Sequence, residues 1–190
     1  MKLTDIIQEV KELLSPKRFT HSVGVMKRMK ELANLYQIDE EIAQKIGITH
    51  DMAKEMTGEE MLQYAKEFHI AIDDIEKEIP SLLHGKIAAD MTKRKYHFSK
   101  EMQDAICYHT VGDPKMDKLA KLLFVADKTE ENRKYLDLAK AVELANHDLD
   151  LSVISLLEES ICYTIKKGEF IHPASILTRN TLLKQLKTKE

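Results

Sequence analysis

One stretch decides the fold of this chain: Ile42-Ala43-Gln44-Lys45-Ile46-Gly47-Ile48-Thr49-His50-Asp51. Its apolar residues recur at the spacing of a helix, and the run then ends in an imidazole next to a carboxylate. Burying both groups at a helix end is costly unless something pairs with them. A divalent metal is the usual partner, because neutral imidazole nitrogen and carboxylate oxygen both coordinate such ions.

The same apolar spacing of three and four residues continues through nearly the whole chain, and only six glycines and four prolines interrupt it. This pattern predicts an all-α protein, a single-domain helical bundle over residues 1–190. Capping residues and proline or glycine at helix ends set the predicted boundaries. The predicted helices are 3–13, 16–37, 40–54, 58–68, 80–95, 100–110, 117–140, 150–167 and 173–187, with loops at 55–57, 69–79, 111–116, 145–149 and 168–172.

The composition excludes several classes of function. A net charge of −3 gives no dominating positive field for a nucleic-acid polymer. Cys107 and Cys162 form no CxxC pair, which argues against a disulfide framework or a zinc–thiolate site. The N-terminal residues lack the apolar core of a signal peptide, and no stretch approaches the length of a membrane span. We therefore expect a cytoplasmic protein without a membrane partner.

Four further polar residues on predicted helices accompany them: His21, His84, His109 and Asp127. Asp127 ends the run Leu122-Leu123-Phe124-Val125-Ala126, where an aspartate must be paired or coordinated. His84 and His109 follow apolar helical runs, and for either one alone the alternative is a core imidazole that is hydrogen-bonded to a carbonyl. Together with His50 and Asp51, these residues form the set that a hydrolytic metal site needs.

Two cations and a glycine accompany these candidates. Arg18, His21 and Gly24 follow at three-residue spacing, so they form one stripe on a helix. A cation, a metal ligand and a gap on one face would suit a phosphate near a metal. The alternative for this stripe by itself is an exposed arginine, a surface histidine and a packing glycine. Lys54 projects over the end of the helix that carries His50 and Asp51. It either meets an anionic substrate or complements the helix dipole.

The ordered pattern His…His-Asp…Asp on helices resembles the HD-domain metal phosphohydrolases. Five blocks in order resemble the bacterial YqeK-type symmetrical bis(5′-nucleosyl)-tetraphosphatases over roughly residues 6–180. These blocks are Phe19-Thr20-His21-Ser22-Val23-Gly24-Val25-Met26, His50-Asp51-Met52-Ala53-Lys54, Leu83-His84-Gly85-Lys86, Ala105-Ile106-Cys107-Tyr108-His109-Thr110 and Phe124-Val125-Ala126-Asp127 with Arg133. The chain departs from that family at Cys107, where arginine is frequent, and at Lys128, where an aromatic residue is usual.

The resemblance implies an HD-domain fold and symmetrical hydrolysis of diadenosine tetraphosphate to two ADP by metal-activated water. The implied metal ligands are His21, His50, Asp51 and Asp127. A second metal would be held by Asp51, His84 and His109, or else these two histidines act with Lys54 on the phosphate and the leaving group. The implied nucleotide contacts are Arg18, Gly24, Lys54, His84, His109, Thr110, Arg133, Phe170, Ile171, His172, Pro173, Ala174 and Ser175.

The implied metal is iron, and ligands that are only nitrogen and oxygen also suit manganese or cobalt. The expected partner is a dinucleoside polyphosphate or an ADP-like molecule, and a homodimer remains open. Two other interpretations use the same residues: an HD nucleotidase or pyrophosphohydrolase on another phosphate ester, and a non-catalytic nucleotide sensor.

Overall fold

A computed structural model describes residues 1–133 and 138–188 of the chain. Within these ranges it contains eleven α-helices and no β-strand, which confirms the predicted all-α class. The helices are α1 Leu3–Leu13, α2 Pro16–Tyr36, α3 Glu40–Thr49, α4 Gly58–Glu67, α5 Asp74–Glu78, α6 His84–Tyr96, α7 Lys100–Tyr108, α8 Lys118–Thr129, α9 Leu138–His147, α10 Leu149–Lys167 and α11 Pro173–Lys187, with a 3₁₀ helix at Pro80–Leu83 before α6.

Several helices begin at the capping residues that the sequence predicts. The Thr57 hydroxyl accepts from the backbone of Glu60 while the Glu60 carboxylate accepts from the backbone of Thr57, a complete capping box. Ser15, Ser99 and Asp117 likewise cap α2, α7 and α8.

The core lies between the helices that carry the candidate metal ligands. Helix α2 packs against α3 and α8, while α7 packs between α6 and α8. Helix α8 is buried along nearly its whole length, and Leu122, Leu123 and Phe124 are fully enclosed. Helices α10 and α11 pack together, and α10 also covers α8. Burial of the ends of α3, α7 and α8 in one core brings their polar terminal residues together.

Four predicted elements differ from the structure. Helix α3 ends at Thr49 rather than 54, and the chain turns through His50 and Asp51. The predicted loop 69–79 contains α5, which begins at a capping box between Asp73 and Glu76.

The predicted helix 117–140 is interrupted at Glu130, whose backbone is extended with ψ 154°. Its residues 134–137 lie outside the described residues, and α9 follows. Only Asp148 separates α9 from α10, so most of the predicted loop 145–149 is helical. Asp148 caps α10 by accepting from the backbone N–H of Leu151, which allows so short a connection. None of the described helices is both long enough and apolar enough to span a membrane.

Candidate metal centre

Six polar side chains from five helices converge in the core. They come from the middle of α2, the end of α3, the start of α6, the end of α7 and the last turns of α8. Each is at most 9% exposed, and they are His21, His50, Asp51, His84, His109 and Asp127. The structure therefore brings together all six residues that the sequence singled out.

The four imidazoles share one orientation, because each has its Nδ1 atom engaged away from the cluster. Three of them lie at a carbonyl three residues earlier: His50 Nδ1 is 2.8 Å from Gly47 O, His84 Nδ1 is 2.6 Å from Ser81 O, and His109 Nδ1 is 2.6 Å from Ile106 O. His21 Nδ1 instead lies 3.2 Å from Glu130 Oε1. A carbonyl or carboxylate only accepts, so Nδ1 carries the proton, and each Nε2 points its lone pair into the cluster.

The Asp51 carboxylate lies between the two halves of the cluster. Its Oδ2 is 3.6 Å from His21 Nε2 and 3.4 Å from His50 Nε2, while its Oδ1 is 3.4 Å from His84 Nε2 and 3.7 Å from His109 Nε2. Asp127 faces the first half, with Oδ1 3.1 Å from His21 Nε2. The geometry thus allows one ion at His21, His50 and Asp127, and a second beside Asp51.

A metal ion fits the donor atoms of this cluster. His21 Nε2 and His50 Nε2 are buried and are without a hydrogen-bond partner among the described residues. Their lone pairs face carboxylate oxygens, which are also acceptors, so only a proton or a cation between them removes the repulsion. The ligand atoms of His21, His50 and Asp127 lie within 4.8 Å of one another, as do those of His50, Asp51 and His109.

The pKa values of the cluster in the metal-free protein also indicate that a positive charge is favoured there. Burial opposes the charge on His50, yet the neighbouring Asp51 and Asp127 raise the pKa of His50 to about 9. Burial also opposes the charge on Asp51, but the positive His50 holds the pKa of Asp51 well below its usual value. Burial lowers the pKa of His84 and His109, so both are neutral at pH 7. Metal binding requires a neutral imidazole, so a bound cation would take the place of the proton on His50.

Three long cationic side chains surround the cluster. Arg18 Nη1 donates to Asp51 Oδ2 at 2.8 Å, and Lys54 Nζ lies 3.4 Å from His84 Nε2. Arg133 Nε donates to the Asp127 carbonyl at 2.7 Å, and its Nη2 donates to the Asp127 carboxylate. A continuous helix would have turned Arg133 to another face, but the chain leaves the helix after Thr129 and brings the guanidinium back. Cations in this position suit an anionic ligand.

A groove leads away from the cluster toward the segment after α10. Thr110 Oγ1 lies 3.2 Å from His84 Nε2 and also lines a cavity of about 230 Å³. The opposite wall of this cavity is formed by Phe170, Ile171, His172 and Ser175. Phe170 is 59% exposed, so its ring is accessible to a ligand.

The structure divides the predicted segment 170–175 between two places. Pro173 and Ala174 line a separate cavity beside Asp73 and Asp113, rather than the groove. His172 borders both cavities, and its Nε2 lies 2.8 Å from Asp73 Oδ2. Ser175 Oγ donates to the carbonyl of Val111, which anchors the start of α11 beside the groove.

Sequence reasoning missed two charged residues at the site. Lys128 Nζ donates to the His109 carbonyl at 3.0 Å and lies 3.4 Å from Asp127 Oδ2. Glu130, which is 1% exposed, contacts His21. The prediction of a helix continuing through Glu130 hid its inward direction, whereas Lys128 lies within α8 as predicted and only the packing of α7 against α8 reveals its contact with His109. Gly24, predicted as a nucleotide contact, lies against Glu130 and Asn132.

Comparison with known proteins gives matches over most of the chain. The HD domain family matches residues 18–132. A protein of Halalkalibacterium halodurans named bis(5′-nucleosyl)-tetraphosphatase, symmetrical, is 34% identical over 182 residues, covering 95% of this chain and 97% of the relative. A Bacillus subtilis protein of the same name is 33% identical, covering 92% and 94%. The crystal structure of a Clostridium acetobutylicum protein, described as a predicted HD superfamily hydrolase involved in NAD metabolism, has a TM-score of 0.93 at 29% identity, with coverage of 97% and 98%.

Proposed function

The chain belongs to the HD domain family, and we propose that it is a metal-dependent hydrolase that splits diadenosine tetraphosphate and related dinucleoside polyphosphates into two nucleoside diphosphates. One observation carries the proposal: among the described residues, His21 Nε2 and His50 Nε2 are buried without a hydrogen-bond partner, facing two carboxylates and surrounded by cations. A cluster that needs a metal, beside groups that neutralise phosphate, supports phosphoanhydride hydrolysis. The names of the two relatives support the symmetrical cleavage.

We assign the metal to His21, His50, Asp51 and Asp127, and a second metal, where one binds, to Asp51, His84 and His109. The donors are imidazole nitrogen and carboxylate oxygen without thiolate, a set that suits iron, manganese and cobalt. We propose iron, with manganese or cobalt as alternatives. When bound, such a metal supplies a water molecule of lowered pKa that can act as a nucleophile at neutral pH.

Arg18, Lys54 and Arg133 would hold the tetraphosphate against the cluster. Arg18 and Arg133 already donate to the two carboxylates, so their positions are fixed before substrate arrives. Burial lowers the pKa of the Lys54 ammonium, and an anionic phosphate beside it would raise that pKa again and favour the charged form. Fixed cations that face the developing charge on phosphate oxygens lower the barrier without reorganisation.

His84 and His109 would serve the phosphate in the absence of a second metal. Both are neutral in the free protein, and a phosphate placed beside them would raise their pKa. Each could then donate a hydrogen bond to a phosphate oxygen or a proton to the leaving nucleoside diphosphate. Their separation of 3.1 Å between Nε2 atoms lets the two rings share one proton. Thr110 lies against both rings and would orient them.

One nucleoside of the substrate would lie in the groove that begins at Thr110. The exposed Phe170 ring offers a stacking surface for the base, and Ile171, His172 and Ser175 line the same wall. The α-phosphate would then point back toward the cations around the cluster.

The test is hydrolysis of diadenosine tetraphosphate by metal-replete protein, with nucleotide products resolved by anion-exchange chromatography. ADP as the sole product, lost in an Asp51→Ala variant whose thermal unfolding remains cooperative, is the expected result. AMP with ATP would reject symmetrical cleavage. No turnover while ADP still binds would favour a sensor, and turnover of mononucleotides or cyclic dinucleotides alone would favour another HD phosphohydrolase.

A further inference from the structure

We propose that Glu130 is a positioning residue for the metal centre, and that Gly24 is glycine in order to leave room for its carboxylate. Glu130 would fix the ring of His21 so that Nε2 faces the metal. The inference rests on the metal centre of the proposed function but not on the identity of the substrate.

The Glu130 carboxylate is enclosed and fully partnered. Its Oε1 lies 3.2 Å from His21 Nδ1, and its Oε2 accepts from the backbone N–H of Asn132 at 2.8 Å and from Asn132 Nδ2 at 2.9 Å. These bonds hold both oxygens in place at 1% exposure. The only proton that His21 has for Oε1 is on Nδ1, so the contact selects the tautomer whose Nε2 lone pair is free.

His21 needs a side-chain partner because of its place in a helix. His50 and His109 directly follow α3 and α7, and His84 follows the 3₁₀ helix. Carbonyls in a last turn have no helical donor, so they are available to the ring three residues later. His21 is the sixth residue of α2, where the preceding carbonyls accept helical N–H groups. A partner must come from another segment, and Glu130 supplies it by leaving the helical conformation after Thr129.

Gly24 lies one turn after His21 on α2, beneath the same carboxylate. A Cβ atom on residue 24 would lie 2.3 Å from Glu130 Oε2 and 3.2 Å from Asn132 Nδ2. Glycine inside a helix lowers its stability relative to alanine, so its presence here has a cost. The space that glycine leaves for the Glu130 carboxylate explains why the helix keeps a destabilising residue here. It also gives Gly24 a role that needs no contact with nucleotide.

The experiment measures Mn²⁺ affinity of the metal-free protein by electron paramagnetic resonance, together with its thermal midpoint. Loss of an outer partner of a ligating histidine typically weakens metal binding by roughly 10- to 100-fold. We expect this loss in Glu130→Ala and a smaller loss in Glu130→Gln, because the amide oxygen still accepts from His21. The matched control is Glu131→Gln, which removes the same charge from an exposed ion pair with Lys27 and should bind Mn²⁺ as the unmodified protein does.

Gly24→Ala applies the same displacement from the α2 side. The added methyl group should push the Glu130 carboxylate away from His21 and weaken Mn²⁺ binding. Loss of the buried hydrogen bonds of that carboxylate should also lower the thermal midpoint of the metal-free protein by more than the helix gains from alanine. In the double variant Gly24→Ala with Glu130→Ala, the methyl group has space, so binding should be no weaker than in Glu130→Ala alone.

Unchanged Mn²⁺ affinity in both Glu130→Ala and Gly24→Ala would overturn the inference. Weaker Mn²⁺ binding in the double variant than in Glu130→Ala alone would also overturn it, since the methyl group would then act without the carboxylate. The assay contains no substrate. A protein that binds Mn²⁺ through Glu130 but leaves diadenosine tetraphosphate intact would therefore refute the proposed substrate alone.

Discussion

Replacement of Lys54 by methionine removes one charge from the edge of the metal cluster and keeps the aliphatic stem. Lys54 Nζ lies 3.4 Å from His84 Nε2, on the side where we place the phosphates. A full charge at 4 Å from a phosphate oxygen contributes at most about 4 kcal/mol near a protein surface. After the loss of hydration is included, a hydrogen bond to a charged group contributes about 1.5–3 kcal/mol to binding, and this lower range applies here. Lys54→Met should therefore reduce kcat/KM for diadenosine tetraphosphate by roughly 10- to 150-fold.

The assay is steady-state kinetics of ADP release at saturating metal, with bound metal per chain measured in parallel. Metal content should be unchanged, because an ammonium group is not a ligand. Lys45→Met is the matched control, since Lys45 is also largely buried but pairs with Glu41 on α3. A kcat/KM within threefold of the unmodified protein would refute the phosphate role of Lys54. A loss of metal in Lys54→Met would show that the lysine acts on the cluster itself.

Three other outcomes follow from the site. Metal at 100 times its dissociation constant adds about 2.7 kcal/mol to the free energy of unfolding. The thermal midpoint of this 190-residue chain should therefore rise by roughly 5–11 °C over that of chelator-treated protein. No rise would argue against a preformed site. The raised pKa of His50, about 9, gives the metal-free protein stability that is fully present below pH 6.5 and is lost as the pH rises through 9. Urea unfolding should show this decline in metal-free protein but not in His50→Gln, and an equal decline in both would assign it elsewhere. Phe170→Ala should raise the dissociation constant of ADP by roughly 5- to 150-fold, because the base loses its stacking partner, and metal content should be unchanged. Unaltered ADP binding would place the base elsewhere.

Helix positions were predictable wherever a local signal fixed the backbone. The capping box at Thr57 and the glycine at 168, with φ 69°, end or begin helices where the sequence indicates. The capping box at Asp73 and Glu76 is the same kind of signal, but α5 has only five residues and the segment was predicted as a loop. The local sequence was therefore sufficient to locate the start of α5, and the prediction failed because it considered only long helices.

Five of the six cluster residues were predictable because each is a polar group that ends or interrupts an apolar helical run, and His21 was predictable from its stripe with Arg18 and Gly24 and from the family resemblance. The surrounding residues were not, because their positions depend on where α8 stops. Helical propensity continues past Thr129, and only the tertiary contact between Glu130 and His21 explains why the chain turns there. Arg133 and Gly24 could not be assigned their neighbours until that turn was known.

The most direct test of the metal-centre hypothesis is a titration of chelator-treated protein with Fe²⁺ under anaerobic conditions, following ADP release against bound metal per chain. The proposed mechanism predicts no turnover without metal and a rate that rises in proportion to bound metal until the site is full, with no activity in His50→Ala at any metal level. Hydrolysis of diadenosine tetraphosphate by the metal-free protein, or full activity in His50→Ala, would contradict it.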